Sequence, residues 1–516
     1  MKTVAIMILA MAISKVLGML RSVLLAAHYG TSAQANAFTA ATQIPLTCFD
    51  LLLSAAILGC FIPVYNSFRG ENGDTPDTQS VQQADRFACV FLNFVLTITG
   101  IMTVLGILFA DPLLSLISPS LSAQEHALGV TLLRIMFPMI LFTGATYTLV
   151  GVLQSKNEFI IPSLVSCISN LGVILYFLLL DQQLGENGIY GVAIAYTVSW
   201  ALQLVTLLFP LHRKGFRYFA DFHFRSPQIK KVLRMCLPIM IGSWQAPLGV
   251  LLGTYFAPRL NVDGALTIFG YTNNLYVILT GILTYGICNY VFPKLSRMQA
   301  LGDKKSFCTT CQSGILSALA IVLPVMATVM ILSREGVCIV YMRGAFSADA
   351  ATDTAAALRM MAVGMPAYCL IELINRIMYA QTKTRAPMLA ALAGSVCNLL
   401  FCLLLMQFAS LRVGALTLAN AAGQIVAAIA LIFALLKNTK KIFTGQFLVS
   451  LFKLLGATLC SAAGMFVLYM ILHADQNTCG LWRNLLTCCG VFLPGIGLYA
   501  VCLKLFGIKF YPSGKE

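Results

Sequence analysis

Charge is what this sequence has least of. Of 516 residues only 10% are Asp, Glu, Lys or Arg, against roughly 25% in soluble globular domains. A chain so poor in charge cannot cover a water-facing surface, so a soluble one- or two-domain protein is excluded. No Gly-rich phosphate loop ending in Lys-Ser or Lys-Thr occurs, so ATP is not a direct driver. No paired-Asp motif for a magnesium diphosphate occurs either. The five histidines (His28, His126, His212, His223, His473) all fall in loops or at the ends of apolar runs. No hydrolase or transferase site stands out, so the chain is expected not to be an enzyme and to use no cofactor. The seventeen cysteines are scattered through apolar runs and read as small hydrophobes. Cys308-Thr309-Thr310-Cys311 is a CxxC without the second pair or neighbouring His that a zinc site needs. Cys488 and Cys489 read as packing residues, and no metal is expected.

What is abundant is apolar length. Hydrophobic residues make up 59% of the chain and the mean hydropathy is +0.85. A helix needs about 20 apolar residues to cross a bilayer. Runs of that length lie near 3–27, 36–66, 87–110, 127–153, 159–181, 189–211, 232–256, 265–292, 307–332, 352–380, 388–409, 414–436, 447–472 and 482–506. They are too long and too little alternating for barrel strands. The expected fold is all-α, a polytopic membrane protein of about fourteen transmembrane helices. Lys2 followed by an apolar stretch and Ala10-Met11-Ala12 resembles a cleavable signal, but the stretch runs on through Gly18 to Ala27 and is long enough to span.

The placement of charge predicts the topology. With both termini in the cytoplasm, the loops and tails on that side carry 23 Lys and Arg and eight acids. Arg213, Lys214, Arg217, Arg225, Lys230, Lys231 and Arg234 all lie between the sixth and seventh spans. The other side carries five bases (Arg259, Arg334, Arg343, Arg412, Arg483) against nine acids. This is a strong positive-inside asymmetry. The net charge of +15 therefore points to anionic lipid headgroups rather than to nucleic acid.

The chain repeats weakly. Leu133-Arg134-Ile135-Met136, Pro138, Gln154-Ser155-Lys156, Pro162 and Asn170 run across the fourth and fifth spans. Leu358-Arg359-Met360-Met361, Pro366, Gln381-Thr382-Lys383, Pro387 and Asn398 run across the tenth and eleventh. The Arg, Lys and Asn pairs are 225, 227 and 228 residues apart. Six spans fit in that offset, so both copies point the same way, and parallel repeats are a transporter architecture. The expected organisation is a six-helix lobe over 1–215, a second over 216–440, and an appended pair, spans thirteen and fourteen, over 441–516.

Charges inside lipid need a reason. The first span carries Lys15 near mid-depth and Arg21, with Gly18 between them. The three sweep about 120° of the helix, so the two long side chains can converge over the bare glycine. Asp50 on the second span lies at similar depth and can pair with Lys15, leaving Arg21 to face a cavity. Glu372 and Arg376, four residues apart in the tenth span, suit an ion pair. Lys453 can snorkel; Arg134 and Arg359 either snorkel or line an outward vestibule. In-span charge is six bases against two acids. A path with excess cations suits an anionic substrate, and Arg suits phosphate. Asn36, Gln245, Asn273 and Asn274 read first as interhelical hydrogen-bonding groups.

These landmarks resemble the lipid II flippase (MurJ) family of the multidrug/oligosaccharidyl-lipid/polysaccharide exporter superfamily. Ser14-Lys15-Val16-Leu17-Gly18 with Arg21, then Tyr29-Gly30 and Asn36-Ala37-Phe38, resembles the family's first hairpin. Phe61-Ile62-Pro63 resembles its end of span two, and Leu133 to Pro138 its span four. Tyr271-Thr272-Asn273-Asn274-Leu275-Tyr276 followed by Phe292-Pro293-Lys294-Leu295-Ser296-Arg297 resembles span eight and its exit. Arg376 with Tyr379-Ala380, Thr384 and Pro387 resembles the hairpin of spans ten and eleven.

The resemblance implies a V-shaped bundle with a cationic central cavity, a groove at spans thirteen and fourteen for a polyprenyl tail, and alternating access. It implies a monomer in the bacterial plasma membrane that moves lipid II or a related undecaprenyl-diphosphate glycan, with Lys15 and Arg21 as the family's basic residues of span one. Lys15, Gly18, Arg21, Asn36, Asp50, Asn274 and Arg376 are the expected substrate-binding residues. The sequence departs from the family where Asn36 replaces an acid, where Phe49 and Asp50 replace a basic pair, and where Asn274 replaces an Arg. Some homologues hold sodium with carboxylates of spans seven and eleven. Asn398 can supply one ligand here, but Cys402 cannot replace an acid. The alternatives are export of another polyprenyl-diphosphate-linked glycan, or of a drug cation, for which a net acidic path would be expected; a non-transporting scaffold for wall synthesis is the alternative from another class.

Overall fold

The computed structural model describes residues 2–54, 57, 61–69, 78–224, 236–381, 383–438, 442, 444–472 and 480–507. Arg225, Lys230, Lys231, Arg234 and His473 lie outside them. The described residues are overwhelmingly helical and contain no strand. Ten helices among them are long and apolar enough to cross a bilayer, and two bent pairs, Cys236–Ser243 with Gln245–Arg259 and Ala348–Ala362 with Met365–Ala380, raise that to twelve. The other two expected spans, 36–66 and 265–292, are helical where described. An all-α polytopic membrane fold is therefore what forms, and a count of fourteen is compatible with it.

Local sequence explains where helices begin and end. The first helix, Lys2–Tyr29, stops at Gly30, whose φ of 54° is the left-handed conformation that lets the chain turn back. Ser32 then accepts from the Ala35 amide and opens Ala33–Phe49. Ser122 and Glu125 form a reciprocal capping box at the start of Ala123–Met136. Lys304–Tyr341 has 38 residues, about 57 Å at 1.5 Å per residue, well beyond the expected 307–332. The surplus follows a kink at Leu332, whose φ of −102° and ψ of 20° are non-helical.

The chain packs as two compact units, Met1–Arg259 and Leu260–Glu516. The seventh span thus packs in the first unit: the Thr254 hydroxyl donates to Gln43, and the Trp244 ring nitrogen donates to the Leu51 carbonyl. The contact boundary at 259 differs from the repeat-based boundary at 215. Inside the units the repeated segments take matching forms. Ala123–Met136 and Met139–Ser155 break at Phe137-Pro138, followed by Ile160–Leu179 and Gly188–Arg213. Ala348–Ala362 and Met365–Ala380 break at Val363-Gly364, followed by Arg385–Leu405 and Gly414–Asn438. In the second set the last two helices approach very closely. A Cβ on Gly423 would stand 2.6 Å from the Gly394 carbonyl oxygen, the small-residue packing expected where lipid leaves no hydrophobic drive between helices.

After the sixth span, residues 216–224 are non-helical and strapped along the helix Thr78–Leu108. Asn93, 1% exposed, donates from its amide to the carbonyls of Phe219 and Asp221 and accepts from the Tyr218 hydroxyl. The Phe219 amide donates to the Cys89 sulfur, and Arg86 pairs with Asp221 at 2.9 Å.

Candidate functional site

The first helix places Lys15 and Arg21 differently. Lys15 is exposed, whereas Arg21 is half-buried with its guanidinium carbon 4.9 Å from the centroid of the Tyr196 ring. Tyr196 comes from Gly188–Arg213 and is itself held edge-on against Phe38, ring centroids 5.2 Å apart. The Nε of Arg21 is occluded and has no hydrogen-bond partner among the described residues. Nor does any ion pair of the described residues include Arg21 or Lys15. A cation lying over a ring, with its hydrogen-bond donors unmatched among the described residues, can meet an anion that arrives from outside.

The space above Gly18 is occupied by an amide. A Cβ there would meet the Asn170 side chain at 3.5 Å, and Asn170 donates to the Ser14 carbonyl at 3.2 Å. The Asn170 hydrogen bond thus ties Ile160–Leu179 to the first helix beside Gly18. Asp50 is exposed at the start of a π-helical stretch, Asp50–Ser54, beside Tyr147. The expected Lys15–Asp50 pair is not among the ion pairs of the described residues. Asn36, 9% exposed, donates to Glu125 at 2.8 Å. That is the interhelical bond first expected of it, and it ties the second span to the fourth.

In the second unit, Arg376 lies half-buried beside the Cys288 thiol and near Glu372. Its Nε is also occluded and without a hydrogen-bond partner among the described residues. The i,i+4 pair with Glu372 does not close to ion-pair distance in this set. Asn274 is half-buried in Ala265–Ala300. Arg359 donates to the Ser333 hydroxyl at 3.3 Å. Lys453 donates to the Phe506 carbonyl at 2.8 Å, fixing its head at the end of the last helix. A cavity of about 1050 Å³ is lined by Lys294, Arg297 and Asp303 at one end and by Ile287, Ile321 and Leu503 elsewhere, so charge and apolar wall share one space. Among the described residues no group of three or more His, Cys, Asp or Glu is placed to hold a metal. The Cys402 thiol donates to the Asn398 carboxamide oxygen at 3.5 Å, both buried.

Two polar clusters escaped the reading of the sequence. Lys156 and Asp85 form an ion pair of 2.8 Å, side chains 7% and 9% exposed, completed by the Tyr65 hydroxyl donating to Asp85. Asp181 accepts from the Tyr29 hydroxyl at 2.8 Å with His28 3.7 Å away. Lys156 and Asp85 lie just outside apolar runs, 71 residues apart in sequence, and nothing in the order of residues marks them as partners. Lys156 did stand out as a repeat landmark.

Comparison with known proteins gives a consistent picture. Residues 25–483 match the model of the family described as lipid II flippase MurJ. A probable lipid II flippase MurJ of Bdellovibrio bacteriovorus is 26% identical over 384 residues, 74% of this chain and 72% of its own length. The lipid II flippase MurJ of Burkholderia cenocepacia is 24% identical over 386 residues, covering 74% and 73%. Among solved structures, a lipid II flippase MurJ in an inward closed conformation is similar with a TM-score of 0.78 at 19% identity, over 96% of this chain and 98% of that one. An inward-facing multidrug resistance MATE family transporter is similar with a TM-score of 0.68 at 14% identity, over 83% and 95%. The two structural likenesses establish the fold.

Proposed function

This chain belongs to the lipid II flippase MurJ family, and from that premise we propose that it carries lipid II, the lipid-linked peptidoglycan precursor, from the cytoplasmic to the outer face of the bacterial plasma membrane by alternating access. The single observation that supports a cationic recognition site in this chain is Arg21. It is half-buried in the first helix, lies over the Tyr196 ring, and its donors meet no acceptor among the described residues. A diphosphate supplies the missing acceptors, and Arg presents its donors in the fork that phosphate oxygens fit. Lys15, exposed six residues earlier, adds a point charge. Gly18 lies between them, beside Asn170. Asn36 and Asp50 are further polar candidates of the first unit; Asn274 and Arg376 are candidates of the second unit, taken by itself. The cavity flanked by Leu503 of the last helix supports a place for apolar chain. Translocation breaks no covalent bond, so differential binding in two conformations suffices. The chain acts as a monomer with both termini in the cytoplasm.

The test is depletion of the resident lipid II flippase in a bacterium that expresses this chain. Growth with wild type and lysis with a well-expressed Arg21→Ala is the expected outcome. Lysis with both, despite correct insertion, would move the substrate to another polyprenyl-diphosphate-linked glycan. Growth with both would keep the function and remove Arg21 from its centre.

A further inference from the structure

We propose that Tyr196 is a positioning residue for the anion site: its ring holds the Arg21 guanidinium in the orientation that receives the diphosphate. The inference rests on the cationic-site reading above and names a residue that neither composition nor motif marks.

An arginine side chain has four rotatable bonds and about 2 kcal/mol of rotamer entropy, so an arginine with no partner would lose most of that freedom when it bound a ligand. Among the described residues Arg21 has one contact of this kind, the face of Tyr196 at 4.9 Å. That distance is inside the roughly 6 Å range over which a ring quadrupole attracts a cation. The ring cannot swing away. Tyr196 is 5% exposed and braced by Phe38, which is 2% exposed and meets it edge-on. The next residue, Thr197, donates to the Ile135 carbonyl at 2.9 Å, tying this turn of the helix to the fourth span. The platform is therefore rigid, and it belongs to a helix other than the one that carries the cation.

The direction of the guanidinium follows from which nitrogens are covered. Nε is occluded without a partner. The terminal nitrogens are not among the occluded atoms, and no hydrogen bond of the described residues uses them. The ring thus lies against a face of the group, while its terminal nitrogens stay accessible. Two parallel N–H donors there fit two oxygens of a phosphate. A pre-oriented donor fork lowers the ordering cost of binding, the usual source of affinity from preorganisation. The hydroxyl of Tyr196 has no role in this account. The face of the ring has the whole of it, which separates Phe from Leu at this position.

The experiment uses the purified full chain in detergent and a short-chain polyprenyl diphosphate as the probe, with the uncharged polyprenol of equal length as control. Tyr196→Leu is expected to weaken diphosphate binding about tenfold, equivalent to about 1.4 kcal/mol, without changing polyprenol binding. Tyr196→Phe is expected to keep the affinity that Tyr196→Leu loses. In the double variant with Arg21→Ala, Tyr196→Leu should add no further loss, because two residues acting through one interaction are not additive. If Tyr196→Leu does not fold, Tyr196→Met, ringless and closer in length, takes its place. Wild-type affinity in the ringless variant alongside a loss in Arg21→Ala overturns the role of Tyr196 and leaves the cationic site standing. Additive losses in the double variant also overturn it, since the ring would then act elsewhere. Wild-type affinity in Arg21→Ala removes the parent reading itself.

Discussion

Arg412 sits where a glycine would be at ease. Its φ of 48° and ψ of −134° nearly match the 53° and −123° of Gly185. The two residues stand at the same offset as Lys156 and Lys383, one in each repeat, just before the helices Gly414–Asn438 and Gly188–Arg213. A side chain in that region of backbone space costs on the order of 1–3 kcal/mol. Arg412 offsets part of this through an ion pair of 2.8 Å with Asp353. The Arg412 side chain is 53% exposed, and such pairs contribute about 0–1 kcal/mol. Strain should therefore win, and Arg412→Gly is expected to raise the Tm, a gain of about 1 kcal/mol. Gly185→Ala, with nothing within 4 Å of its new Cβ, is expected to lower it. A fall in Tm for Arg412→Gly would show that the ion pair outweighs the backbone. Legibility differed sharply from residue to residue at this scale. Lys15 and Arg21 stood out as charges in apolar runs. Tyr196 did not, because a tyrosine inside a span looks like any other interior aromatic. The Lys156–Asp85 pair was invisible because each partner sits at the edge of its run, where charge is ordinary.

The non-helical strap after the sixth span shows the same logic at the scale of elements. Backbone that leaves the helix beside a membrane must still satisfy its polar groups. The buried Asn93 and Cys89 of Thr78–Leu108 do this for Phe219 and Asp221. The Asp221 carboxyl is held down to about 2, first by the hydrogen bond from His223 and then by that from Arg86. A depressed carboxylate stabilises the fold while it is ionised. Its contribution is present above the unfolded value of about 3.9 and is lost as the pH falls through the folded one. Wild type is therefore expected to melt above Asp221→Asn at pH 5, with the difference closing between about pH 4 and pH 2. A difference that stays constant down to pH 2 would mean the carboxylate does not hold the strap. The seven basic residues of this linker were legible as a topogenic cluster, but its aromatic stretch from Phe216 to Phe224 carried no sign that it would lie along the third span. Helix lengths were legible to within a turn or two, except where Lys304–Tyr341 ran on past its kink.

For the whole molecule, the asymmetry of 23 bases against five carries the orientation. A fluorescent protein that folds only in the cytoplasm, fused after Glu516, is expected to light up, and alkaline phosphatase at the same place to stay inactive. The reverse pattern would overturn the orientation.

Membrane insertion, helix number to within the bent pairs, and the internal repeat were determined by the sequence alone. Each depends on a local sum, apolar length or charge per loop, and a sum does not require knowing which residues meet. What the tertiary structure decided was pairing: Gly18 on Asn170, Asn36 on Glu125, Lys156 on Asp85, and Arg21 on Tyr196. In lipid, where apolar surface gives little preference between one helix face and another, packing and a few polar contacts choose the partner. Those choices depend on ångström-scale geometry, which the order of residues specifies only through the fold.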